Sequence, residues 1–179
     1  MLIWTRPTEG EYLPYQLNYI NRVPDGDMIE VLKSTIEETA AFLKSIPVDK
    51  LNYRYAEGKW TIKQVVQHLI DTERIMTYRA LTFARNDKTE LPGFEENDYA
   101  EESNVDERSM DELIKEYAAV RNASILLFTS MNDTLLNRSG IANRGRVKVK
   151  TFAYVIAGHE LHHEAIIRER YLNEVESKK

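Results

Sequence analysis

Gly158-His159-Glu160-Leu161-His162-His163-Glu164 contains three of the four histidines in the chain, and the fourth is His68. At about 100° per residue, His159 and His163 lie about 40° apart in azimuth and one turn apart along a helix. Two imidazoles so placed can grip one metal ion. A catalytic zinc-like site takes three protein ligands and leaves a position open, so His68 is the candidate third donor. The pair interrupts a helical stripe made of Phe152, Val155, Ile156, His159, His163, Ile166 and Arg170. An imidazole buried without a partner costs on the order of 1 to 3 kcal/mol, so two in successive turns of a core-facing stripe ask for a compensating ligand. A lone histidine on such a face is ordinarily a satisfied core residue, and it is the clustering that points to metal. His162 falls about 60° from His159, on the flank, and reads as a neighbour of the site or a surface residue. A pairing of His159 with His162 at i, i+3 remains geometrically open.

The same segment spells His-Glu-x-x-His, the zinc-protease pattern in which the glutamate is a general base. The expectation is against that architecture. Such enzymes take a third ligand further down the chain, and no histidine follows His163 before Lys179.

Working outward, the last of four amphipathic segments begins near Thr151 and carries that stripe to Arg170. The first runs from Asp27 to Ile46, with Ile29, Leu32, Ile36, Leu43 and Ile46 on one face and Pro47 as its stop. The second opens at a capping box, Thr61 with Gln64, and extends to about Arg85. Its stripe is Ile62, Val65, Val66, Leu69, Met76, Ala80 and Phe83, and His68 lies at the stripe's edge. A second capping box, Ser109 with Glu112, opens the third helix, which carries Leu113, Tyr117, Val120, Leu127 and Met131 to a turn at Asn132-Asp133. Between residues 86 and 109 no period holds, and the acidic run through Glu102 reads as a solvated connection from which Phe94 and Tyr99 can wall a pocket. The alternation from Arg144 to Lys150 suggests a short extended piece with a solvated edge of cations. Residues 1–26 hold Pro7, Pro14 and Pro24 among Trp4, Tyr12, Tyr15 and Tyr19. Proline blocks a long helix there, and so many aromatics predict an arm packed on the body with a short helix near Tyr15 to Asn21.

With 179 residues and 42% hydrophobic content, the chain suits one domain, residues 1–179. A net charge of -5 without a clustered basic helix argues against nucleic acid or an anionic membrane as partner. The absence of cysteine removes disulfides and thiol catalysis by the protein and restricts metal ligands to nitrogen and oxygen. No stretch approaches the ~20 apolar residues of a membrane span, so a soluble, cytoplasmic protein is expected.

Four stretches together resemble the DinB-like family of metal-binding four-helix bundles. They are Tyr53 to Lys63, His68-Leu69-Ile70-Asp71-Thr72-Glu73-Arg74, Leu91-Pro92-Gly93-Phe94, and Ala157 to His163. The resemblance implies an all-α four-helix bundle with long connections whose helices do not simply alternate up and down, often a homodimer. It also implies zinc or nickel on His68, His159 and His163. Family members include S-transferases that use bacillithiol or mycothiol, a mycothiol-dependent maleylpyruvate isomerase, and metal-dependent hydrolases.

Three functions follow as expectations. In the first, a low-molecular-weight thiol cosubstrate is activated at the metal and transferred to an electrophilic small molecule. Asp71 and Glu160 are the nominated catalytic residues, with Glu73 as a further proton acceptor and Arg74, Arg79 or Arg170 facing a cosubstrate carboxylate. In the second, water replaces the thiol and the reaction is hydrolysis. The third is a non-catalytic metal-binding stress-response module. Metal affinity is expected to fall below about pH 6, since free imidazoles protonate near 6.5.

Overall fold

The computed structural model describes residues 4–173; the first three residues of the arm and the last six of the chain lie outside the described part. The arm turns through a 3-10 turn at Pro14–Gln16 into the single-turn helix α1 (Leu17–Ile20). Asp27 then accepts hydrogen bonds from the amides of Ile29 and Glu30 and starts α2 (Met28–Ser45). The capping box of Thr61 and Gln64 starts α3 (Ile62–Ala84). The connection after it is less irregular than its sequence, for it contains the short α4 (Glu96–Glu101) and a 3-10 turn at Val105–Glu107. A helix of one and a half turns is too short to leave a hydrophobic period. Ser109 and Glu112 cap α5 (Met110–Thr129), and Asn132 caps the one-turn α6 (Asp133–Leu136). A two-stranded hairpin follows, β1 (Ser139–Ala142) and β2 (Gly145–Lys148). It is antiparallel, with Ser139 opposite Lys148 and Ala142 opposite Gly145. Helix α7 (Val149–Ile166) then runs directly into a π-helical turn, Ile167–Tyr171.

Helices α2, α5, α3 and α7 form a ring in that order, each packed on two neighbours. Their directions can be read from paired residues. Gln67 meets Arg108, Glu73 meets Arg121 and Thr77 meets Ser124, so α3 and α5 are parallel. Phe83 packs on Phe152 while His68 lies beside His159, so α3 and α7 are antiparallel. Thr39 bonds Glu160 and Phe42 underlies Arg168, so α2 runs with α7. The pattern is up, down, down, up. Parallel neighbours cannot be joined by a tight turn, which is why the chain spends residues 85–109 returning along the bundle between α3 and α5.

Two apolar clusters fill the bundle. One lies around Leu32, Phe83, Phe128 and Phe152, the other around Leu43, Val66, Leu113 and Tyr171. Between them sits a polar layer containing Thr35, Thr39, Glu73, Arg121 and Glu160, all buried. From Val149 to Glu160 every residue of α7 is buried, because α1 covers the side that the bundle leaves open. Glu11 anchors the arm. Its carboxylate pairs with Lys148 at 2.5 Å and Lys150 at 2.9 Å, and its carbonyl accepts from the Lys148 amide and the Thr151 hydroxyl. Burial works against the charge, yet the bonds from Lys148, the Thr8 amide and Lys150 hold the Glu11 carboxyl down to about 2. The alternating basic stretch is therefore the second strand of a hairpin leading into α7: Arg144 and Arg146 are exposed, as a solvated edge requires, whereas Lys148 and Lys150 are taken up by Glu11 of the arm, which corrects that expectation for the two lysines. No helix among the described residues is long and apolar enough to cross a membrane.

Candidate metal centre

The antiparallel contact of α3 and α7 brings His68 against His159, and one turn along α7 adds His163. The Nε2 atoms of His68 and His159 are 3.0 Å apart, as are those of His159 and His163. Two nitrogens each about 2.0 to 2.1 Å from a shared ion are separated by about 3.0 to 3.4 Å at angles between about 90° and 110°. Both spacings fit a shared cation, and the donor atoms of all three imidazoles lie within 4.8 Å of one another. His68 is 8% exposed and His159 6% exposed. Burial pushes His68 down to about 4. Burial, then repulsion from His68 and His162, takes His163 to about 3, and His159 is lowered well below the ordinary range by burial and the histidines around it. All three are thus neutral at physiological pH, the form that donates to metal. Three buried nitrogens aimed at one point cannot all be mutual donors, so without a cation some lone pairs face each other. The Thr72 hydroxyl lies 3.4 Å from Nδ1 of His68, in position to hold the tautomer that leaves Nε2 free. Nδ1 of His163 is buried with no hydrogen-bond partner among the described residues.

Aromatic side chains fix the rings. Trp60 lies 4.7 Å from His68 between ring centroids and 6.5 Å from His163, nearly parallel to the latter. The Tyr171 hydroxyl, in the π-helical turn, donates to the Trp60 carbonyl at 2.7 Å. Tyr19 of α1 meets His159 edge-on at 5.2 Å. The triad opens into a cavity of about 270 Å³ whose walls include Tyr15, Tyr19, Trp60, Met76, Phe94 and Glu96. His162 also lines this cavity but is not one of the three converging donors, so the i, i+4 pair carries the site. Phe94 is a wall residue as its sequence context suggested, whereas Tyr99 is 48% exposed and rests edge-on against Phe94. The walls from Trp60, Tyr15 and Tyr19 were not legible as such. Their only sequence signal was aromatic residues clustered in a proline-broken arm and just before a helix cap.

The acidic residues nominated for catalysis stand elsewhere. Glu160, next to His159 in sequence, points about 100° away around the helix into the polar layer. There it accepts from the Arg121 guanidinium at 2.6 Å, the Thr39 hydroxyl at 2.5 Å and the Tyr117 hydroxyl at 2.5 Å. Glu73 accepts from Arg121 Nε at 2.9 and 3.1 Å and from Nη2 at 3.0 Å. Two carboxylates thus share one guanidinium that is 1% exposed, and neither reaches the triad's cavity. This also disposes of the protease reading, since the glutamate of His-Glu-x-x-His is locked in the bundle interior. Asp71 lies in the seam between α3 and α5, bonded by Gln67 at 2.9 Å and 3.6 Å from Arg74; burial raises its pKa. Arg74 is taken up by Glu116 at 2.6 Å, and Arg170 lies over the Tyr55 ring.

Three imidazoles converging inside an up, down, down, up helical bundle make a candidate metal centre in a protein of the four-helix-bundle class. The chain belongs to the DinB superfamily, whose family model matches residues 32–167. It is 26% identical over 163 residues to an Oceanobacillus iheyensis protein, OB0413, named as a candidate metal-dependent hydrolase, an alignment covering 82% of this chain and 93% of that one. Its fold is similar to that of YfiT from Bacillus subtilis, with a TM-score of 0.68 and 17% identity over 94% of this chain and 93% of YfiT. YfiT is described as a probable metal-dependent hydrolase with an unusual four-helix bundle topology.

Proposed function

We propose that this chain is a metal-dependent enzyme in which His68, His159 and His163 hold a divalent ion, zinc or nickel, and that it transfers a low-molecular-weight thiol to an electrophilic small molecule. The observation that carries this reading is the cavity onto which the triad opens. Its walls are mainly aromatic, and Glu96, the one carboxylate among its described lining residues, is exposed. When bound, the ion supplies Lewis acidity, lowering the pKa of the protic group that enters its open position. A thiol starts near 8.5 and needs no protein base once lowered, which suits a site whose buried carboxylates face elsewhere. The three imidazoles stay neutral and so remain donors. Trp60 and Tyr19 hold their orientation, while Phe94, Met76 and Tyr15 exclude water and receive the apolar part of the electrophile. The thiol proton leaves to solvent, sulfur bonds to the electrophilic carbon, and the leaving group departs with its electron pair.

Hydrolysis is the second reading. The descriptions of the Oceanobacillus relative and of YfiT as candidate metal-dependent hydrolases favour it, and Glu96 would then be the proton acceptor at the rim. The test loads the purified protein with zinc or nickel. It then follows consumption of several biological thiols with chlorodinitrobenzene, alongside an ester, amide and phosphate panel without thiol. Metal-dependent thiol consumption is expected. Turnover of the panel without thiol would replace transfer by hydrolysis, and no metal-dependent turnover in either arm would overturn both.

A further inference from the structure

Beside the triad's cavity lies a second one of about 330 Å³, and Tyr15, Phe94 and Glu96 line both. The second is also lined by Arg79, which is 3% exposed. Arg79 makes no ion pair among the described residues. Its Nη2 donates to the Pro92 carbonyl at 2.7 Å, and its Nη1 approaches the Met76 sulfur at 3.8 Å. A guanidinium has five N–H donors and stays charged at neutral pH, so a buried one without a carboxylate partner is unusual. The other buried arginine among the described residues, Arg121, is matched by two carboxylates. Glu95 and Glu96 also line the second cavity, but both are exposed and screened by solvent.

The position of Arg79 is as informative as its pairing. His68, Thr72 and Met76 follow one another at four-residue steps along the wall of the metal cavity, and Arg79 comes eleven residues after His68. Eleven residues advance a helix by about 16 Å and return to within about 20° of the starting azimuth. One face of α3 therefore carries a triad histidine toward one end and a guanidinium without a carboxylate partner toward the other, with Thr72 and Met76 between.

We propose that Arg79 forms a carboxylate-binding subsite for an elongated molecule whose reacting end lies at the triad. This rests on the metal-dependent reading above and adds to it the substrate class: an acid with on the order of 10 Å between its carboxylate and its reacting atom. A planar guanidinium fork binds a carboxylate through two parallel hydrogen bonds, which sets the register of the ligand along α3.

The experiment measures binding by calorimetry and needs no turnover. The probes are mercaptooctanoate, with thiol and carboxylate at opposite ends, its neutral amide mercaptooctanamide, and octanoate and octanamide, which lack the thiol. In zinc-loaded wild-type protein the acid should bind about tenfold or more tighter than the amide. Arg79→Met should abolish that preference, and Arg79→Lys should keep part of it. The preference of octanoate over octanamide should persist in zinc-free protein, whereas the thiol should add affinity only with zinc. Equal binding of acid and amide by the wild type overturns the subsite whatever the variants do. A thiol contribution absent with zinc, beside an intact acid preference, would sink the metal reading and leave the subsite standing.

Discussion

Gly158→Ala would test how the arm, the last helix and the metal centre depend on one another. A Cβ at residue 158 would lie 2.0 Å from the Tyr19 carbonyl oxygen, 2.4 Å from its carbon and 3.0 Å from the Tyr19 Cα. All three are backbone atoms, so no rotamer change relieves the clash. Restoring ordinary contact at 3.4 Å or beyond moves α1 outward by about 1.4 Å. Two effects oppose each other. Alanine in a helix interior is favoured over glycine by up to about 1 kcal/mol, while overpacking at a closed contact costs about 1 to 3 kcal/mol. The displaced helix also carries Ile20, which is fully buried, so the second effect should win by about 1 to 2 kcal/mol. For a domain of this size that lowers Tm by about 2 to 8 °C. The same shift pulls Tyr19 from the edge of His159, opening the cavity and making the arm easier to cleave. Calorimetry and limited proteolysis of the arm measure both. Zinc stoichiometry should be kept, because all three imidazoles come from α3 and α7. A variant that melts at or above the wild type with an unchanged cleavage pattern would show that helix propensity decides and that α1 does not press on Gly158.

Elemental analysis of His68→Ala, His159→Ala and His163→Ala should each show stoichiometric metal lost, with His162→Ala retaining it; equal loss from all four would mean the ligand pair is misassigned. Arg121→Met leaves Glu73 and Glu160 buried without their cation and should cost about 3 to 5 kcal/mol in urea unfolding at neutral pH. A cost under about 1 kcal/mol would remove the buried ion layer as a determinant of the fold. In metal-free protein His68 is held near 4 and His163 near 3, against about 6.5 unfolded. Their contribution is complete above pH 6.5 and is lost as pH falls through those lower values. For His68 this amounts to roughly 3 kcal/mol by pH 4, read as a falling urea midpoint that flattens in His68→Gln. Metal retention should by the same cause extend below pH 6, lower than free imidazoles would allow.

Local rules set the long helices. Asp27, Thr61 and Ser109 mark three of their starts by capping the first turn, and the spacing of apolar residues identifies the inward face of each without reference to any other part of the chain. The i, i+4 relation of His159 and His163 is equally local, since helix geometry alone puts them on one face. Tertiary structure decided the rest. Periodicity carries no information about which helices are neighbours, so the parallel packing of α3 on α5, and with it the need for a long return at 85–109, is absent from the sequence pattern. Direction around a helix explains why Glu160, adjacent to a site histidine in the chain, belongs to the Arg121 layer instead of the cavity. Trp60, Tyr15 and Tyr19 enclose the triad only because loop and arm fold over it. The partner of Lys148 and Lys150 is Glu11, more than a hundred residues away. A charge's role depends on what lies within a few ångströms, and for Arg79 and Arg121, both buried arginines, only the fold determines that one is matched and the other is not.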